Sequence, residues 1–220
     1  RFRGPNGSGV SGAIQVPEDF GPEKNVIWKV AVPPGHSSPV LSADHLFLTA
    51  IEDGRPRTIC LRRDTGKILW RRESPRPRSE RLDKRNHPAS PTPVLDRSAV
   101  YVFFPDYGLL SYDFAGNERW RVPLGPFNNL YGMGAYPIIA SGNIVLVCDQ
   151  STNSYIAAFD ANNGRLRWKT VRPEALSGHS TPVLYQPRDG PPQILAPGSF
   201  RLDAYSARSG ASLWWARGLA

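Results

Sequence analysis

Four histidines occur among the 220 residues, and two of them occupy equivalent settings. His36 and His179 stand three residues before Pro39 and Pro182, and the same offset before Pro93 and Pro137 holds Ser90 and Gly134. Imidazole titrates near neutral pH and ligates transition metals, so two such groups on one surface suit proton transfer or metal binding. A complete ligand set is not visible in the sequence, and a loop histidine also serves by hydrogen bonding alone, so no metal site is assigned. With Ser37, Ser180 and His87, this column is read as a candidate site for a polar ligand. The stretch Phe127 to Gly134 contributes Asn128, Asn129 and Tyr131, a mixture of amide, phenol and glycine suited to polar contacts.

Other groupings are less productive. Cys60 and Cys148 sit in separate apolar runs, with neither zinc spacing nor a vicinal pair, and are read as buried thiols. The Gly-rich start, Gly4 to Gly9, lacks the Lys-Ser/Thr ending of a phosphate loop. No Ser-His-Asp or paired-carboxylate arrangement follows from spacing, so no catalytic residue is assigned. The formal charge of +8 is concentrated in Arg71, Arg72, Arg76, Arg78, Arg81, Lys84 and Arg85. Glu73, Glu80, Asp83, Pro75 and Pro77 interrupt that run, and no aromatics are interleaved for base stacking, so nucleic-acid binding is set aside. The expectation is an exposed excursion over Arg76 to Lys84. No stretch approaches the roughly 18 apolar residues of a membrane span, and Arg1 opens the sequence without a signal segment, as in a soluble or processed protein.

The elements that position these residues recur. Gly-x-x-x-Trp appears four times, as Gly66 with Trp70, Gly116 with Trp120, Gly164 with Trp168 and Gly210 with Trp214, at intervals of 46 to 50 residues. A polar turn precedes each glycine, and a short apolar run lies on either side of that turn. Upstream, each unit opens on Pro39-Val40-Leu41, Pro93-Val94-Leu95, Pro137-Ile138-Ile139 or Pro182-Val183-Leu184, followed by a second apolar run. That makes four short strands per repeat, with no window for an amphipathic helix of three turns. A four-stranded twisted sheet cannot bury both faces alone, so such units stack around an axis as blades of an all-β propeller. The regularly placed indoles are read as blade-docking wedges.

The chain is divided into a Gly/Pro-rich loop over 1–24 and a propeller region over 25–220. Its blades are expected at about 36–73, 88–124, 134–172 and 179–217. Trp28, in Val26-Ile27-Trp28-Lys29-Val30, is read as another docking tryptophan on an outer strand over 25–31.

The outer-strand motif, best kept as Cys60-Leu-Arg-Arg-Asp-Thr-Gly-Lys-Ile-Leu-Trp70 and Ala158-Phe-Asp-Ala-Asn-Asn-Gly-Arg-Leu-Arg-Trp168, resembles the repeat of pyrroloquinoline-quinone-like propellers. That family includes quinoprotein alcohol dehydrogenases and a lipoprotein propeller of the outer-membrane assembly machinery. The resemblance implies a periplasmic or extracytoplasmic location and a ring of seven or eight blades. The remaining blades would come from the rest of the protein or from a second copy. It also implies one of two roles: a binding or scaffold module for a protein partner or small polar ligand, or a quinone-dependent alcohol or sugar dehydrogenase whose site lies partly elsewhere. The dehydrogenases hold calcium with carboxylate and amide ligands, stack the quinone on a tryptophan and cover it with a disulfide of adjacent cysteines. None of these groupings can be assigned here, so no cofactor is expected from these residues and pyrroloquinoline quinone with calcium belongs to the second reading.

Overall fold

In each repeat the apolar runs are two to eight residues long and are separated by turns, so hydrogen bonding is satisfied by pairing neighbours in sequence. The computed structural model describes residues 3–4, 7–10, 12 and 17–218. Its strands form four separate antiparallel sheets, each of four strands in sequence order. The first blade contains β1 (Val40–Leu41), β2 (His45–Glu52), β3 (Arg55–Arg62) and β4 (Ile68–Glu73). The second contains β5 (Val94–Leu95), β6 (Ala99–Phe104), β7 (Gly108–Asp113) and β8 (Glu118–Pro123). The third contains β9 (Ile138–Ala140), β10 (Asn143–Cys148), β11 (Tyr155–Asp160) and β12 (Leu166–Val171). The fourth contains β13 (Val183–Tyr185), β14 (Gln193–Gly198), β15 (Arg201–Ser206) and β16 (Ser212–Arg217). No α-helix is assigned among the described residues, and no helix there is long and apolar enough to cross a membrane.

Both faces of a middle blade are covered, which explains strands that are apolar at every position rather than at alternate ones. All six residues of β6 are buried. Val100, Val102 and Phe104 pack with Phe47, Cys60 and Trp70 of the first blade, whereas Tyr101 and Phe103 pack with Ile144, Leu146 and Phe159 of the third. Val145, Val147 and Trp168 then meet Ile194, Ala196 and Tyr205 of the fourth. Cys60 and Cys148 are free and buried, and burial pushes both thiols up to about 12.

The tryptophans lock this stack. Every outer strand pairs with a one-residue register shift just before its tryptophan, between Cys60 and Leu61, Ser111 and Tyr112, Ala158 and Phe159, and Ala204 and Tyr205. The turn glycine of the next blade then meets the indole. A Cβ added at Gly164 would lie 2.8 Å from the Trp120 ring, and the same fit joins Trp70 to Gly116 and Trp168 to Gly210. The indole N–H of Trp70 donates to the Phe114 carbonyl at 2.9 Å and that of Trp120 to the Ala161 carbonyl at 3.0 Å. Trp70, Trp120 and Trp168 are 8%, 7% and 9% exposed, as the spacing predicts. Trp214 has no following glycine turn among the described residues, is 39% exposed and donates to Gln193 of its own blade.

Two expectations are corrected. Residues 25–31 form no strand, because no strand among the described residues lies beside them to complete a ladder. Trp28 nevertheless docks like the others: its N–H reaches the Arg63 carbonyl at 2.9 Å and its ring fills the space a side chain on Gly66 would need. The segment Arg76 to Lys84 is not an exposed excursion. Asp106, 1% exposed in the β6–β7 turn, accepts from Arg76 Nε at 2.7 Å and from the Glu80 backbone N–H at 2.8 Å. Arg78 donates to the carbonyls of Pro105 and Leu124, so the segment is strapped onto the second blade. Of the segment 1–24 expected as a loop, residues 1–2, 5–6, 11 and 13–16 lie outside the described residues.

Candidate functional site

Sheet order places the β2–β3 type turns and the connections between blades at one end of the stack. The lead-ins to successive first strands therefore converge there. A cleft of about 630 Å³ opens at this end, lined by His36, Asp83, Arg85, Asn86, Ser90, Tyr131, Gly134, Tyr136 and His179. The column read from the prolines, His36, Ser90, Gly134 and His179, is thus brought to one place from four lead-ins.

Each wall has a local cause. The strap carries Asp83 to Ser90 across the second blade, and its backbone folds onto the loop before the third. The Asp83 N–H donates to the Tyr131 carbonyl at 3.2 Å and Asn86 Nδ2 to the same oxygen at 2.9 Å. Arg85 donates to Asp83 at 2.7 Å while its guanidinium lies 6.0 Å from the Tyr131 ring centre. Mutual ion pairing lowers the Asp83 carboxyl and raises the Arg85 guanidinium.

The His36 and His87 rings lie 4.9 Å apart, tilted by 35°. The His36 N–H donates to the Ala89 carbonyl at 3.1 Å, which ties the first lead-in to the second. His87 Nδ1 accepts the Ala89 backbone N–H at 3.2 Å, so in its neutral form this ring carries its proton on Nε2. Burial lowers the His87 pKa, and the nearby His36 and Arg76 lower it further. Across the cleft, Tyr131 and His179 have ring centres 5.9 Å apart, and a side chain at Gly134 would come within 3.0 Å of His179 Nδ1. Burial lowers the His179 pKa against the opposing pull of Asp149.

Neither His87, which lies against His36, nor the remaining expected residues line the cleft. Ser37 is used on the backbone: its Oγ accepts the Thr49 N–H at 3.0 Å and donates to the Thr49 carbonyl at 3.2 Å. Asn128 donates its backbone N–H to Gln150 at 2.8 Å. Asn129 is buried, donating to the Asp149 carbonyl at 2.8 Å and accepting the Tyr131 N–H at 3.0 Å, so it positions Tyr131 from behind. Ser180 is exposed outside the walls. From sequence, Asp83 and Arg85 read only as members of the charged run, and Asn86 and Tyr136 carry no signal of a site. The connection of 20 residues between Glu73 and Val94 was the available signal that this loop does more than join strands.

Behind His179 lies a buried ionic cluster. Arg172 Nε and Nη2 donate to Asp149 at 2.7 and 3.1 Å, Nη1 donates to the Tyr205 hydroxyl at 2.9 Å, and Asp203 stands 3.3 Å away. These four groups, with Arg201 also donating to Asp203 and the Ala196 carbonyl accepting from Arg172, hold one another across the third and fourth blades. The cluster is therefore a junction, and its polar atoms are not free for a ligand. Among the described residues no group of three or more His, Cys, Asp or Glu side chains could hold a metal ion.

A family model described as outer membrane protein assembly factor BamB matches residues 18–121 and 78–217. Comparison with curated protein sequences gives no match. Among solved structures, quinohemoprotein alcohol dehydrogenase ADHIIG from Pseudomonas putida HK5 aligns with a TM-score of 0.63 and 17% identity, over 87% of this chain and 35% of its own. BamB from Moraxella catarrhalis aligns at 0.58 and 17%, over 84% of this chain and 49% of its own. A europium-containing methanol dehydrogenase aligns at 0.64 and 9%, over 85% and 42%. These likenesses concern the fold, and the chain spans less than half the length of each structure.

Proposed function

The chain belongs to the pyrroloquinoline-quinone-like propeller family whose model is described as outer membrane protein assembly factor BamB, and we propose that it is a binding module of the bacterial envelope. Its ligand, a protein segment or a small polar molecule, sits in the cleft between His36, Tyr131 and His179. The observation that carries this reading is convergence: loops from successive blades present imidazole, phenol, guanidinium and hydroxyl groups around one opening. Such a rigid, mixed polar and aromatic rim suits recognition. The same family membership supports an extracytoplasmic location.

A quinone dehydrogenase is the rival, and the residues present do not fit its centre. Asp83 is the cleft's carboxylate, and Arg85 holds it. The Asn86 amide is used on both sides, by Tyr131 and by the His87 N–H at 2.8 Å. Calcium requires six to eight oxygen ligands. The two cysteines lie in different blades, and Trp28, Trp70, Trp120 and Trp168 are engaged against turn glycines. Titrating the full-length protein with pyrroloquinoline quinone and calcium, with dye-linked alcohol oxidation as readout, tests the reading. The expected result is neither saturable binding nor turnover; saturable binding with turnover would overturn it.

A further inference from the structure

The turn from Asn86 to Ser90 forms one wall of the cleft, and it is built around a single imidazole. The His87 N–H donates to Asn86 Oδ1 at 2.8 Å and to Ser90 Oγ at 3.0 Å, and both of those residues line the opening. The Ser90 N–H donates back to the His87 carbonyl at 2.9 Å, which closes the turn on itself. Ala89, buried at its centre, gives its N–H to His87 Nδ1 at 3.2 Å and accepts the His36 N–H on its carbonyl at 3.1 Å. Asn86 Nδ2 carries the linkage on to the Tyr131 carbonyl at 2.9 Å. The first lead-in, the strap and the loop before the third blade are therefore joined through these five residues.

The contact at Nδ1 exists in one protonation state only. Accepting an N–H takes the Nδ1 lone pair, so the ring must be neutral with its proton on Nε2. A second proton would sit on Nδ1 and point at the Ala89 N–H, setting two donors against each other. The groups that face the ring add to this conflict. His36 lies against it from the first lead-in, with ring centres 4.9 Å apart, and Arg76, held in place by Asp106 at 2.7 Å, acts on it from the strap. Asn86 and Ser90 beside it are neutral, and no carboxylate is among the groups that act on it.

We propose that this turn is a proton-operated latch on the cleft, closed at neutral pH and opened in acid, so that the ligand is released as pH falls. The proposal rests on the cleft being the recognition site. Protonation of His87 breaks the Ala89 contact, and the turn then frees His36, Asn86 and Ser90 together, all of which line the cleft. The open turn takes up its proton near the ordinary imidazole value of about 6.5, so at pH 5.5 the closed form is disfavoured by up to about tenfold relative to neutral pH.

Ring ¹⁵N spectra and amide hydrogen exchange read the latch directly. At pH 7.5 the His87 Nδ1 should carry no proton, and between pH 7.5 and 5.5 the protection factor of the Ala89 amide should fall about tenfold. In His87→Asn the amide oxygen of the side chain stands in for Nδ1 as acceptor and does not titrate. Ala89 protection in that variant should stay level over the same range. Adducts from a photoreactive residue at Tyr131 should fall several-fold in the parent on acidification, and fall less in His87→Asn. Ala89 protection that ignores pH in the parent, or that drops equally in His87→Asn, would overturn the latch. So would an adduct yield that holds while Ala89 opens. Adducts missing at every pH would instead remove the cleft reading, and Ala89 exchange would then decide the latch on its own.

Discussion

Gly164 and Gly142 belong to the same blade and have nearly the same backbone, φ +73° and +74°, but different surroundings. A Cβ at Gly142 would meet nothing within 4 Å, whereas one at Gly164 would lie 2.8 and 2.9 Å from two atoms of the Trp120 ring and 2.9 Å from Val122 Cγ2. Alanine at either position carries the left-handed strain, about 1–2 kcal/mol. At Gly164 it must also displace an indole that is 7% exposed, and overpacking of that kind costs a further 1–3 kcal/mol or so. The difference between the two variants isolates docking, because the strain cancels. With a urea slope of about 2 kcal/mol/M, Gly164→Ala should unfold roughly 0.5–1.5 M earlier than Gly142→Ala, followed by far-UV circular dichroism. Near-UV dichroism should show that the Trp120 environment changes only in Gly164→Ala. Equal midpoints would refute the claim that the turn glycine exists to receive the tryptophan of the preceding blade.

Trp120 donates to the Ala161 carbonyl, but the Trp168 N–H finds no acceptor among the described residues, so Trp120→Phe should cost about 1 kcal/mol more than Trp168→Phe in urea unfolding. His87 and His179 have pKa values lowered by burial, so the unfolded chain binds more protons as pH falls. Their contribution to stability is full above the unfolded value of about 6.5 and is lost as pH drops through the folded values. The urea midpoint should therefore fall between about pH 7.5 and 5.5, and fall less in the His87→Gln, His179→Gln double variant. Asp106→Asn should release the strap, so hydrogen exchange at the Glu80 amide should speed up at least about tenfold while β6 and β7 amides stay protected.

The fold was legible because its marker is local and repeated: a glycine, a turn and a tryptophan at blade spacing can be found without knowing what touches what. The cleft was half legible for the same reason, since alignment on the prolines put His36 and His179 in one column. The other half comes from the strap, whose arginines read as solvated because composition does not show that Asp106, in the next blade, would be buried beneath them. Asn129 looked like a ligand group by type, yet the chain uses both ends of its amide on the backbone. Arg172, Asp149 and Asp203 meet only when two blades are stacked, and no spacing announces that junction. Trp28 shows the converse: its sequence context suggested a strand, and what the structure preserves is the docking contact without the ladder.

We propose that the mouth of the stacked blades is a recognition site. A photoreactive residue placed at Tyr131, 43% exposed in the cleft, tests it most directly in the native cell, with mass spectrometry of the adducts. A recognition site gives a discrete adduct that disappears when His36 and His179 are both changed to Ala, and none when the probe replaces Leu166, 56% exposed on β12. Adducts that form equally from Leu166, or that ignore the histidine changes, would contradict it.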